Sequence, residues 1–231
     1  PRGYVPLGTL QQERYENHMQ DPMIDRSCRQ FAEALAARQP VPGGGGAAAY
    51  AGALGAALCA MVARFDEGKP ALTALSDELA RAIREADAIR ADLLALVDED
   101  AAAYALVSAA YALPRGDPER PARIEAALHE AVRPPYKIMQ ACARAIELFE
   151  GLSHSCSRLL LSDVGCGAML CRGALDAANL TVCVNTASMR DRDHARSIDE
   201  DCVRLLGEWE PRAQAIADHA IGVMKKGQSH G

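Results

Sequence analysis

Four consecutive glycines, Gly43, Gly44, Gly45 and Gly46, lead without a break into Ala47–Ala63, an uncharged stretch dominated by Ala and Gly. Alanine favours helix, and a helix so poor in large side chains buries little area per residue. It gains stability only when neighbours pack closely on several sides, which points to an all-α chain of many helices. The glycines carry a second implication. Without side chains, their N–H groups can approach a ligand, and the positive end of the helix dipole favours negative charge. The competing reading is a flexible linker, but linkers usually mix Gly with Ser, and this run opens a helix. Pro42 and the four glycines are therefore candidates for a ligand-contacting loop.

At 231 residues the chain has ample length for one large domain. Hydrophobic residues make up 49% but aromatic residues only 4%, so Ala, Leu and Val must build the interior. Interiors of that kind suit many long helices in a single-domain bundle with an extensive oligomer interface. A net charge of −6 argues against nucleic acid as a partner. Ala47–Ala63 raises the question of a membrane, but Gly46 and Arg64 bound it short of a full span, and a buried helix is expected. The eight cysteines contain no CxxC pair and no Cys/His spacing of a zinc site, which fits a reduced, cytoplasmic protein with no metal.

Residues 1–22 read as a polar arm and 23–226 as the helical domain. Periodicity predicts helices over Met23–Arg38, Ala47–Phe65, Thr73–Ala112, Pro121–Val132, Pro135–His154, Ser162–Ala178 and Asp193–Met224. Ser162 is the expected N-cap of the sixth of these, and Leu180–Val184 is the one short run with strand character. The glycine run is not a phosphate-binding loop, since no Gly-Lys-Ser/Thr follows it. Each of the six histidines stands alone in the sequence.

Carboxylates are better candidates. Asp98, Glu99 and Asp100 precede a small, apolar stretch, and a charge entering such a face is costly unless paired or used. Asp100 is the one expected to turn inward. Asp163 lies between apolar runs, where it either takes part in chemistry or supports a helix N-terminus. Asn185 follows Leu180–Val184 and offers fixed amide hydrogen bonds, or simply marks a turn. Lys137 sits one turn into a helix in an apolar context, as an acid, a base or a carboxylate contact, or else as a snorkelling surface lysine.

Several segments together resemble a known family. They are Pro40-Val41-Pro42 with the glycines and Ala47-Ala48-Ala49, the Gly-Ala-Leu-Gly-Ala-Ala-Leu run from Gly52, Ala-Tyr-Ala-Leu-Pro-Arg ending at Arg115, Ser162-Asp163 and Val184-Asn185. They resemble the cyclodeaminase/cyclohydrolase family, over about residues 23–210. The resemblance implies an all-α homodimer that performs tetrahydrofolate one-carbon chemistry on a small-molecule substrate, with no cofactor. It implies that Gly43–Gly46 line the folate pocket, and that Asp100, Asp163 and Asn185 fall on family Asp, Asp and Asn positions. The chain departs from the pattern where Asn-Leu-Thr and Gly-Lys-Lys-Lys-Tyr are usual: here Arg64-Phe65-Asp66 and Gly68-Lys69-Pro70-Ala71-Leu72 stand. Arg115 replaces a family lysine.

Two reactions follow from that resemblance. In a cyclohydrolase, water adds to the methenyl carbon and the ring opens to 10-formyl-tetrahydrofolate. In a cyclodeaminase, N10 attacks the formimino carbon on N5 and ammonia leaves. Both need a base and an acid, for which Asp163, Asp100, Lys137 and Lys69 are the candidates, with Arg64, Arg115 and Asn185 contacting substrate. The absence of a fused transferase segment favours the cyclohydrolase. The altered 64–72 segment keeps open a ring-closing reaction on a non-folate molecule, and a non-catalytic binding protein is the third reading.

Overall fold

The structure is a computed structural model, and it describes residues 22–226. The expected arm lies outside the described residues up to position 21. Seven α-helices follow: α1 Cys28–Ala36, α2 Gly44–Asp66, α3 Ser76–Ala112, α4 Arg120–Ala131, α5 Arg133–Ser155, α6 Leu161–Ser188 and α7 Arg192–Lys226. Short 3₁₀ turns at Met23–Asp25, Pro70–Leu75 and Arg158–Leu160 join them, and no strand occurs among the described residues. The domain is a single all-α unit.

Helix α2 is its axis. It packs against α3, α5 and α6, and Ala48, Ala49, Ala53, Ala56, Cys59, Ala60, Val62 and Ala63 are all buried. Glycine makes the contact possible. A Cβ on Gly52 would lie 2.9 Å from Cys142 Sγ, 3.3 Å from Leu93 Cδ1 and 3.4 Å from Ala174 Cβ, one atom from each neighbouring helix. The residues of α6 that α2 meets run in reverse order: Gly44 is near Thr181, Gly52 near Ala174 and Gly55 near Cys171. The two helices are therefore antiparallel. Large side chains fill the remaining interior, chiefly Ile89, Leu93, Ile138, Met139, Ile146, Phe149 and Leu175.

Several boundaries differ from the sequence expectation, each for a local reason. The first predicted helix divides into a 3₁₀ turn and α1, because Ser27 and Gln30 form a reciprocal capping box that starts α1 at Cys28. Three of the four glycines are not loop: Gly43 is the N-cap and Gly44, Gly45 and Gly46 form the first turn of α2. Ser162 is not a cap, since α6 begins at Leu161 directly after the 3₁₀ turn. Leu180–Val184 is helical, as the packing of α6 on α2, α5 and α7 overrides the β-propensity of a few residues. Pro134 and Pro135 stand in the first turn of α5, where proline lacks no needed hydrogen bond.

Candidate active site

Two turns of different helices meet at the head of α2. Asp100 on α3 points at its first turn and accepts a hydrogen bond from the Gly46 N–H. A methyl on Gly45 would collide with the Asp100 carboxyl, so the missing side chain is what lets the carboxyl rest on the main chain. The helix dipole and the N–H favour its ionised form. Burial works against that and wins, holding Asp100 above the usual carboxylate range. A partly buried carboxyl with a raised pKa is suited to exchanging protons with a bound ligand.

Asp100 opens on a cavity of about 330 Å³. Gly43, Gly44 and Gly45 form its floor with Pro40 and Val41, while Thr181, Val184, Asn185 and Ser188 of α6 face them. Along α3 the wall continues through Tyr104, Val107 and Tyr111. Asn185 donates through Nδ2 to Ala131 O at 3.1 Å and to Thr181 O at 3.0 Å, which ties α6 to the end of α4. Both amide protons are used, so its Oδ1 is left as an acceptor. Arg120 closes the C-terminal end of α3. It donates to Leu113 O at 3.0 Å and Tyr111 O at 3.3 Å, with its guanidinium 5.7 Å from the Tyr111 ring centre.

The cavity is therefore lined by two aromatic side chains, Tyr104 and Tyr111, and by residues with acceptors: the Asp100 carboxyl, Asn185 Oδ1 and the Thr181 hydroxyl. It fits a planar heteroaromatic ligand rich in N–H groups, with a proton acceptor at the reacting atom. Among the described residues, no group of three or more His, Cys, Asp or Glu side chains is placed to hold a metal ion.

The sequence-predicted residues divide. Gly43, Gly44, Gly45, Asp100 and Asn185 come together, with Gly46 as the hydrogen-bond donor behind them. Pro42 is buried beneath, with its Cβ 3.5 Å from the position a Cβ on Gly46 would take. Arg115 is exposed in the loop after α3 and does not line the cavity. Lys137 belongs to a separate groove between α3, α5 and α7, where it pairs with Glu99 at 3.0 Å. Asp98 accepts from the Met23 N–H at 2.7 Å, so three successive carboxylates have three destinations.

The expected convergence of Asp163 and Lys69 on the glycines does not occur within one chain. Both lie at the opposite end of α2, about 30 Å away along the helix axis. There Asp66 is fully buried and accepts from Lys69 Nζ at 2.6 Å and from the Ser157 N–H at 2.7 Å, as well as from the Ser157 hydroxyl. Lys69 Nζ also donates to Ser157 Oγ at 2.7 Å. Its ammonium thus anchors the end of α2 to the turn before α6. Arg64 at that end pairs with Asp87. Asp163 is half-buried in the first turn of α6 and has no hydrogen bond or ion pair with any described residue.

Sequence reading missed Tyr104, Val107, Tyr111 and Thr181. A signal existed, because positions 100, 104, 107 and 111 share one helical face.

The family profile described as Formiminotransferase-cyclodeaminase matches residues 27–204, which include the whole cavity. Methenyltetrahydrofolate cyclohydrolase from Methylorubrum extorquens AM1 is 32% identical over 182 residues, spanning 77% of this chain and 88% of that protein. Formimidoyltransferase-cyclodeaminase from Mus musculus is 32% identical over 198 residues, 84% of this chain but only 37% of the mouse protein. The crystal structure of formiminotetrahydrofolate cyclodeaminase from Thermotoga maritima shares the fold, with a TM-score of 0.74 at 24% identity over 87% of this chain and 97% of that one.

Proposed function

The chain belongs to the formiminotransferase-cyclodeaminase family, and on that premise we propose that it is a tetrahydrofolate one-carbon enzyme, a methenyltetrahydrofolate cyclohydrolase that works as a homodimer. The observation that carries the reading is the Asp100 carboxyl, raised by burial and seated on Gly45 at the edge of a cavity with aromatic walls. A pterin supplies the planar ring and N–H donors that Tyr104, Tyr111, Asn185 and Thr181 accommodate.

Asp100 accepts a proton from water as the oxygen bonds to the methenyl carbon, giving a neutral tetrahedral adduct. The bond from that carbon to N5 then breaks while N5 gains a proton; the hydroxyl gives up its own proton to solvent as it becomes the formyl C=O, and the formyl group stays on N10. The protonated Asp100 is the group at hand to protonate N5. Such proton transfer is worth about 10²–10⁴ in rate. The same carboxyl serves formimidoyltetrahydrofolate, where the proton leaves attacking N10 and the amino group departs as ammonia.

The test offers purified protein 5,10-methenyl- and 5-formimidoyl-tetrahydrofolate separately and follows methenyl absorbance. Loss of absorbance with the first substrate, abolished in Asp100→Asn, is the expected result. A gain with the second alone assigns the deaminase reaction. Conversion of neither by a folded protein overturns the folate reading and directs attention to a non-folate ring closure.

A further inference from the structure

Three hydroxyl side chains lie in the C-terminal half of α6, and two of them are committed. Thr186 Oγ1 lies 3.3 Å from Cys183 O and 2.7 Å from Asp199 Oδ1, and Ser188 Oγ donates to Val184 O at 3.0 Å. Bonding back to the preceding turn in this way is the habit of Ser and Thr within helices. Thr181 breaks it. Its hydroxyl has no hydrogen bond to any described residue, and the side chain lines the cavity instead. The main chain that carries it is fixed, because Asn185 Nδ2 donates to Thr181 O at 3.0 Å and to Ala131 O at 3.1 Å, and the adjacent Val182 is fully buried. A β-branched side chain on a helix has few rotamers, so the hydroxyl is held ready in its place.

That place is beside the head of α2. Thr181 Oγ1 lies 3.9 Å from the position a Cβ on Gly44 would take, and the Asp100 carboxyl occupies the position of a Cβ on Gly45. Consecutive residues of a helix project about 100° apart, so the two groups flank the first turn from different sides. Asp100 belongs to the α3 wall of the cavity and Thr181 to the α6 wall. With no side chains on the two glycines, the space between these walls stays open. A water takes about 30 Å³, which leaves most of the cavity of about 330 Å³ for the ring. The hydroxyl carries two lone pairs and one proton, so a pterin N–H does not exhaust it.

From this we infer that Thr181 is a catalytic residue for hydrolysis, whose hydroxyl accepts one hydrogen bond from the attacking water while Asp100 accepts the other. The inference rests on the folate reading and deepens it by naming the group that aims the nucleophile. Water has two protons and two lone pairs. With both protons engaged, a lone pair is turned to the methenyl carbon. As the oxygen–carbon bond forms, one proton passes to Asp100. The other stays on the oxygen of the neutral adduct, hydrogen-bonded to Thr181, until it leaves to solvent as the formyl C=O forms. Thr181 neither gains nor loses a proton in this sequence, so its contribution is orientation. Attack by N10 on a formimidoyl carbon needs no such partner, because that nitrogen belongs to the substrate. The hydroxyl therefore serves hydrolysis and not deamination.

Two substitutions separate the hydroxyl from the shape of the side chain. Thr181→Val keeps nearly the same outline without the hydroxyl, and Thr181→Ser keeps the hydroxyl without the methyl. With 5,10-methenyltetrahydrofolate, Thr181→Val should lower kcat about 10- to 100-fold and leave KM within about threefold, whereas Thr181→Ser should hold kcat within about threefold. The fold-loss should be the same at every pH, because a threonine hydroxyl does not titrate in that range. The valine variant should also melt no lower than wild type, since the hydroxyl it lacks makes no internal hydrogen bond. A rise in KM alone overturns the inference, because Thr181 would then be a contact of the ring and not of the water. An equal loss of kcat in the valine and serine variants overturns it as well, since packing of the methyl would then be the cause. If wild type is active and Thr181→Val equally so, this inference alone falls. If wild type converts neither folate, the proposed function falls and takes this inference with it.

Discussion

At one end of α2 the Asp100 carboxyl rests on the first helical turn and opens on a cavity. At the other end, about 30 Å along the helix, the Asp66 carboxyl is buried completely, with donors on every side. Burial raises the pKa of both, but the balance differs. Asp100 has one N–H to offset desolvation and stays above the ordinary range, whereas hydrogen bonds from Lys69 and Ser157 outweigh burial at Asp66 and hold it below. A carboxyl furnished with donors is a structural joint. One left short of donors, beside a cavity, is placed to take a proton. The contrast assigns roles to two aspartates that composition cannot separate.

The largest expected effects break the comparison at the glycine end. Asp100→Asn keeps the shape and still accepts the Gly46 N–H, but it cannot take a proton, so turnover should fall at least ~100-fold. Stability should move the other way. Because the folded pKa of Asp100 is raised, its stabilising contribution is present at acid pH and is lost as pH rises through the folded value. At neutral pH Asp100→Asn should therefore melt no lower than wild type. Gly45→Ala tests the same contact from the main chain. Its methyl meets the tip of a side chain rather than backbone, so the fold should survive while the carboxyl is displaced, lowering kcat by about 10-fold or more.

How much of this arrangement could be read beforehand depends on the range of each interaction. The Gly/Ala helix, the proline boundaries and the long α3 are local features, and periodicity locates them to within a few residues. The inward turn of Asp100 follows from the apolar stretch after it. The same spacing of four, three and four residues would have added Tyr104, Val107 and Tyr111, but an alanine-rich run disguised a binding wall as core. What could not be read is pairing between distant segments. Glu99 neutralises Lys137 from 38 residues away, and Ser157 reaches Asp66 across 91. The resemblance named Asp163 together with Asp100, yet within the chain Asp163 lies in the first turn of α6, away from the cavity that Asp100 lines.

The next effect tests the joint. Asp66→Asn removes the charge that Lys69 and Ser157 were arranged to receive, and a buried hydrogen-bonded charge is worth about 1.5–3 kcal/mol. Urea unfolding at neutral pH should show a loss of that order. The pH dependence should also have the opposite sign to that of Asp100. With its folded pKa lowered, Asp66 stabilises above the unfolded value near 3.9, and the contribution disappears as pH falls further. Wild type should therefore lose more stability than Asp66→Asn on acidification below about pH 4. Parallel acid titrations of the two proteins would refute the assignment.

Asp176 supplies the smallest and most discriminating test, because it shares the raised pKa of Asp100 without lining the cavity. Burial is the main cause, and the neighbouring Glu210 adds to it, while Arg172 at 3.9 Å offsets only part. Asp176 Oδ1 is buried with no ordinary donor, so a hydrogen bond to Glu210 exists only while the pair holds a proton. Raising the pH through the folded pKa removes that proton and leaves two carboxylates in contact. Asp176→Asn should relieve the repulsion and raise stability at neutral pH. With the side chain 44% exposed, the gain should stay below ~1 kcal/mol and vanish at acid pH. Methenyltetrahydrofolate turnover, in contrast, should remain within about twofold of wild type. A large loss of turnover would mean that a raised carboxyl pKa, and not its position over the Gly45 main chain, had been the better guide to the site.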